Sequence, residues 1–173
     1  MTVNFASQRC SVSDIVMVIF RRENLFKKER PERLKQVMEE NARLHIEHGF
    51  DNEEMVAWNY RGWTIEGIPD QIYDDKVVEG KVVRPRSNVK MLRATAWFQG
   101  GLYARALDKP KFVIVLFKQN HEEVYVKEFV TEVEEPKIRA LLDYAIDVLN
   151  SIKMLGKIGD RYVKGAWENE QLG

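Results

Sequence analysis

The stretch Gly67-Ile68-Pro69-Asp70-Gln71-Ile72-Tyr73-Asp74-Asp75-Lys76-Val77-Val78-Glu79-Gly80-Lys81-Val82-Val83 sets two acids and a lysine in strand-like sequence. Its Val, Ile and Tyr residues favour extended backbone, and Asp74-Asp75 marks a turn between two strands. Glu79 and Lys81 are two apart, so in a strand both side chains point to one face, roughly 6.5–7 Å apart at the backbone. Val77 shares that face, while Val78 and Val82 point to the other. Antiparallel pairing through the turn brings Asp70 opposite Glu79. Two converging carboxylates suit Mg²⁺ or Mn²⁺, and Gly80 offers its carbonyl with no side chain in the way. Lys81, beside two carboxylates, is expected to stay charged, positioning an attacking water and stabilising developing negative charge. Taken alone, an acid-x-lysine triplet also suits an ordinary polar strand face.

Working outward, Met55 to Tyr60, Trp63 to Ile72 and Lys76 to Val83 read as a three-stranded antiparallel meander, with Arg61-Gly62 as the first turn. Met91 to Leu107 changes to helical spacing, with Leu92, Ala96, Gln99, Tyr103 and Ala106 on one stripe. Gln99 and Tyr103 are four apart and so share a helical face. Phe112 to Phe117 is a near-continuous apolar run, as in a buried central strand, and Val124 to Val130 pairs with it across Gln119-Asn120. Glu134-Glu135-Pro136 opens a helix with a core stripe of Ile138, Leu141, Leu142, Ala145, Leu149 and Ile152. From Gly156 to Gly173 the periodicity fades, which reads as loop and tail.

Upstream, Ser11 and Ser13 precede Asp14, and a first helix begins near Ser13 with Ile15, Val18, Ile19 and Phe26 at helical spacing. Pro31 opens a second helix carrying Leu34, Val37, Met38, Leu44 and His45 as far as Gly49. The expected architecture is α/β, a mixed β-sheet of about five strands flanked by α-helices. One domain is expected over residues 1–173, with N-terminal helices 13–49, a core 50–130 and a C-terminal helix and tail 134–173.

With 27 basic and 27 acidic residues the net charge is zero, so bulk electrostatics gives no support for a nucleic-acid partner. The distribution says more: Lys81 to Lys109 holds seven basic residues against Asp108 alone, whereas Lys111 onward holds nine basic and eleven acidic. Arg84, Arg86 and Arg93 in that positive segment are candidate contacts to a phosphate backbone; a solvated helix face is the plainer alternative. Cys10 is the only cysteine, which leaves no intrachain disulfide and no all-cysteine metal site, and fits a reducing cytoplasm. Ile15 to Phe20 is too short to span a bilayer and is followed by Arg21 and Arg22, so neither membrane insertion nor export is expected. A Gly-rich phosphate loop, a serine elbow and a Cys/His zinc spacing are all missing from the sequence. Trp58, Tyr60, Trp63, Trp97 and Phe98 include candidate stacking platforms for bases, though such residues at strand and helix periods also build cores.

In order and context, His45 on a helix, Gly67 to Asp70, Glu79-Gly80-Lys81 and Gln99-x-x-x-Tyr103 resemble the RecB-like branch of the PD-(D/E)XK nuclease superfamily. That branch includes the CRISPR-associated RecB-like exonucleases and several archaeal and viral relatives. The resemblance runs from His45 to Val130 and implies a restriction-endonuclease-like fold. It further implies a Mg²⁺- or Mn²⁺-dependent deoxyribonuclease, of exonuclease or endonuclease mode, in DNA processing, repair or CRISPR and viral DNA metabolism. In it Asp70, Glu79, the Gly80 carbonyl and His45 hold the metal, Lys81 assists the water, and Gln99 and Tyr103 contact the backbone or order the site. His48, three residues on, competes with His45 for the metal. The chain departs from the pattern twice. It lacks the four cysteines of an iron-sulfur cluster, so no cluster is expected, and Asn41 replaces the small residue four before the histidine.

The implied partner is single- or double-stranded DNA, with RNA left open and a homodimer or a protein partner supplying further contact surface. A non-catalytic module that binds nucleic acid or a nuclease partner on the same fold is the competing reading.

Overall fold

The computed structural model describes residues 3–20 and 32–170, with residues 33–34 and 157–170 as backbone only. Phe26, Pro31 and the Leu34 side chain, all placed on helices by sequence spacing, lie outside what is described. Along the chain run β1 (Arg9–Ser11), α1 (Val12–Phe20), α2 (Glu32–Glu47), β2 (Val56–Tyr60), β3 (Trp63–Gly67), β4 (Gln71–Ile72) and β5 (Lys76–Val83). Then follow α3 (Val89–Ala106), β6 (Lys111–Lys118), β7 (Glu123–Val130) and α4 (Thr131–Glu170).

Among the described residues seven strands form two mixed sheets, of three and four strands, where one sheet of about five was expected. The first has the order β1-β3-β2, with β1 parallel and β2 antiparallel to β3; the second has the order β4-β5-β6-β7. Arg61 and Gly62 both have positive φ, at 48° and 81°, as a two-residue hairpin loop between right-twisted strands requires. The long strand expected over Trp63 to Ile72 breaks at Ile68–Asp70, and the chain passes there from one sheet to the other. Pro69, with no N–H to give a ladder, sits in the break.

β5, α3 and β6 form a β-α-β unit, with β5 and β6 parallel from Lys76↔Lys111 to Val83↔Lys118. β5 alternates as expected. Val77 joins the core beneath α3 with Phe98, Leu102, Phe112 and Ile114, while Val78 and Val82 pack on the opposite face with Leu44, Val115 and Phe117. Sequestering both faces is what lets a polar strand residue such as Glu79 become buried. The larger core continues to Trp63 and Ile65 of the first sheet and to Ile138, Leu142, Ile146 and Leu149 of α4.

At α1 the N-cap is Ser11: its Oγ accepts from the Asp14 N–H at 3.1 Å, and Asp14 Oδ2 accepts from the Ser11 N–H at 3.0 Å and its Oγ at 2.9 Å. This reciprocal capping box holds the helix start. Ser11→Ala is expected to cost about 1 kcal/mol, read as a lower denaturant midpoint. α4 runs through Gly156, Gly159 and Gly165 to Glu170, where loop and tail were expected. A lone helical glycine costs only about 1 kcal/mol against alanine, and the intervening residues favour helix. Among the described residues no helix is long and apolar enough to cross a membrane.

Candidate active site

The break between the sheets places Asp70 beside β5. Gln71 pairs with Val78, and one step before that register the Asp70 carboxylate Oδ2 accepts the Gly80 N–H at 2.6 Å. Glu79 Oε1 accepts from Lys81 Nζ at 2.7 Å on the same strand face. Glu79 is 3% exposed, and its second oxygen, Oε2, is buried with no hydrogen-bond partner among the described residues.

His45 comes from the last turn of α2. Its Nδ1 lies 2.6 Å from the Asn41 carbonyl, and its Nε2 lies 3.1 Å from the Gly80 carbonyl and 3.6 Å from Asp70 Oδ2. With Nδ1–H donated to Asn41, Nε2 presents a lone pair toward two further acceptors. A cation among these atoms would remove that conflict, and the Nδ1 bond is the usual outer contact that orients a ligating imidazole. Asn41 meets His45 through its backbone carbonyl, a contact that places no demand on its side chain. Its Oδ1 accepts from Arg84 Nη1 at 2.7 Å, and Arg84 Nη2 donates to Glu40 at 2.8 Å.

One pocket of about 450 Å³ is lined by His45, Asp70, Glu79, Lys81, Gln99 and Tyr103. Ser11, Val12 and Ser13, at the start of α1, line it too, as do Met38, Asn41, Ala42, Gly67 and Ile68. Nothing in the sequence periodicity pointed to the α1 start as part of the pocket; Ser11, Ser13 and Asp14 marked a helix start near Ser13 but not where it would aim. Tyr103 is 3% exposed and lies so close to the backbone that a Cβ at Gly67 would collide with its hydroxyl.

His48 points elsewhere: its ring stacks on Phe117 at 4.0 Å between centroids, and its Nε2 meets Glu123 Oε1 at 3.2 Å. Arg86 is exposed in the segment before α3. Arg93 lies on the far flank of α3, over the Tyr125 ring, and does not line the pocket. All five aromatic residues weighed as stacking platforms belong to the core: Trp63 and Phe98 are fully buried, and Trp58, Tyr60 and Trp97 are half-buried against it. Cys10 is buried as well, its thiol pushed up to about 12 by burial and then by Asp14 and Glu66, which suits packing rather than reactivity.

Burial raises the Glu79 carboxyl to about 8, Asp70 adds to that, and Lys81 opposes it. For Lys81, burial works against the charge, but Glu79 and Asp70 outweigh it and raise the ammonium above its ordinary value. Lys81 therefore remains a cation at neutral pH. Burial, then Glu79 and Asp70, raise the Tyr103 phenol, which stays protonated and can donate. Among the described residues no three His, Cys, Asp or Glu side chains stand in an arrangement able to hold a metal ion. Oε1 of Glu79 is engaged by Lys81, so holding a cation requires Glu79 to turn its free oxygen toward Asp70 and His45.

Gly80 sits under the Phe50 ring, where a Cβ would lie 2.6 Å from Cε2. Gly80→Ala is expected to destabilise the protein by about 1–3 kcal/mol, measured as a shift in urea midpoint, because the new methyl group displaces the Phe50 ring.

No protein-family model matches the chain, and no curated protein does. Among solved structures it is similar to SSO0001, with a TM-score of 0.54 and 19% identity over 83% of this chain and 77% of that one. It is also similar to the alkaline exonuclease LHK-Exo of Laribacter hongkongensis, with a TM-score of 0.51 and 11% identity over 92% of this chain and 97% of that one. The complex of LHK-Exo with dAMP matches equally. The chain thus has the mixed α/β fold of an exonuclease.

Proposed function

We propose that the chain is a nuclease of the RecB-like PD-(D/E)XK type, hydrolysing phosphodiester bonds of DNA with Mg²⁺ or Mn²⁺. The observation that carries this reading is the convergence of Asp70, Glu79, Lys81 and His45 on one pocket, with a buried Glu79 oxygen lacking a hydrogen-bond partner among the described residues. Asp70, the free oxygen of Glu79, the Gly80 carbonyl and Nε2 of His45 are the atoms that would hold the cation; oxygen donors with one imidazole suit Mg²⁺ or Mn²⁺. When bound, the ion supplies Lewis-acid stabilisation of charge on the phosphate. The chain's own groups do the rest. Lys81, held beside Glu79, orients the attacking water and stabilises negative charge as the new P–O bond forms and a sugar oxygen leaves. Tyr103, protonated, and Gln99 present donors from one helical face to phosphate oxygens, and Arg84 and Arg86 flank the strand end beyond Lys81.

The test is digestion of labelled single- and double-stranded DNA by purified protein with Mg²⁺ or Mn²⁺, beside Lys81→Ala and an RNA of the same sequence. Loss of about 100-fold or more in rate is expected for Lys81→Ala. Equal products from wild type and variant would overturn the reading. The engagement of Glu79 by Lys81 favours, as second reading, a module that binds nucleic acid without cutting it. That reading predicts salt-dependent binding and no cleavage with either metal.

A further inference from the structure

A second concave surface lies on the opposite flank of α3 from the pocket. Lys90, Arg93 and Trp97 recur at helical spacing, and Tyr125, Lys127 and Phe129 alternate along β7. Together they line a groove of about 500 Å³. The Arg93 guanidinium lies 4.1 Å over the Tyr125 ring and donates to its hydroxyl at 3.0 Å. The Lys127 ammonium lies 4.9 Å over the Phe129 ring. These contacts hold the cations in place without neutralising them. Among the described residues none of the three cations is within ion-pair distance of a carboxylate, whereas Arg9, Arg61, Lys81, Arg84, Arg105, Lys111 and Lys118 all are. Trp97 Nε1 donates to Glu134 Oε2 at 3.1 Å.

In a chain of zero net charge, three uncompensated cations set among aromatic rings in one groove form a site for a polyanion with planar groups. We infer that the groove between α3 and β7 binds the phosphate backbone of a nucleic-acid strand outside the catalytic pocket. That the strand is the substrate itself rests on the nuclease reading. Arg93 and Gln99 are six residues apart on α3, about 9 Å along the axis, so a strand held at Gln99 needs only a few nucleotides to reach the groove. An acidic peptide would satisfy the cations but leave the Trp97 ring in the groove unused, since the faces of Tyr125 and Phe129 are taken by Arg93, Lys127 and Phe112, which is why a nucleic acid is the better fit.

The experiment is fluorescence anisotropy of a labelled oligothymidylate about 16 nucleotides long, in EDTA, between about 50 and 200 mM salt. Wild type is compared with Lys90→Gln/Arg93→Gln/Lys127→Gln, with the milder Lys90→Gln/Lys127→Gln, and with Lys118→Gln as a charge control. Expected is a salt slope smaller by about 2 for the triple variant and by about 1.4 for the double, roughly 0.7 per cation removed, with Lys118→Gln near wild type. Slopes unchanged in the folded double variant, or displacement of the oligonucleotide by polyglutamate as readily as by unlabelled oligothymidylate, would overturn the inference. Wild-type protein that binds but does not cut would sink the nuclease reading and leave the groove standing. Cleavage with unaltered slopes would sink the groove alone.

Discussion

Asp70→Asn is expected to slow DNA cleavage by on the order of 1,000-fold while leaving the fold intact. The asparagine keeps an oxygen that can accept the Gly80 N–H, now held by Asp70 Oδ2 at 2.6 Å, so the junction between β4 and β5 is preserved. What disappears is one negative charge 3.6 Å from His45 Nε2 and close enough to raise the Glu79 carboxyl, and with it the attraction for a divalent cation. Thermal melts of the two proteins should nearly coincide without metal and separate when Mn²⁺ is added, because only wild type gains the stabilisation of a bound ion. Equal cleavage rates would remove Asp70 from the site.

The second large effect is on stability, through Glu79. Its carboxyl is raised from 4.5 to about 8, first by burial and then by Asp70. The folded protein therefore holds a proton that the unfolded chain gives up, and linkage fixes the sign. The stability associated with this proton is complete below pH 4.5 and is lost as pH rises toward 8, at no more than about 1.4 kcal/mol per pH unit. Lys81 is charged in both states across that window and adds no slope. Urea midpoints of metal-free protein should fall from pH 5 toward pH 8, flatten in Glu79→Gln, and flatten in wild type when Mn²⁺ selects the ionised carboxylate. A profile equally steep in Glu79→Gln would show that another group carries it.

The alternation around Glu79 and the positive-φ hairpin at Arg61-Gly62 were legible because they are local: period two with both faces buried, and a loop length that dictates its backbone. The helical pairing of Gln99 with Tyr103 was legible for the same reason, and both line the pocket. The break at Ile68–Asp70 was harder, since Pro69 in an apolar run reads equally as a strand edge or a strand end, and the distinction lies in which partner each half finds. β1 is three residues long, too short for any period, and exists because it lies parallel to β3. Arg93 was grouped with Arg84 and Arg86 by its nearness in sequence; the helical turn carries it round to the flank facing β7, and charge counting along a chain contains no such rotation. His45 and His48 differ in a similar way, three residues on a helix end being enough to send one to Gly80 and the other to Phe117.

The two sides of the pocket are fastened to the protein very differently. Glu79 and Lys81 stand on β5, laddered to β6 along its whole length and packed on both faces. His45 stands on α2, whose only buried side chain among those described is Leu44. Opening free energies within one protein range from near zero to the global value, according to how much apolar surface a segment buries. Amide hydrogens of α2 are accordingly expected to exchange well before those of β5, so that on gentle heating the imidazole leaves while Glu79 and Lys81 remain assembled.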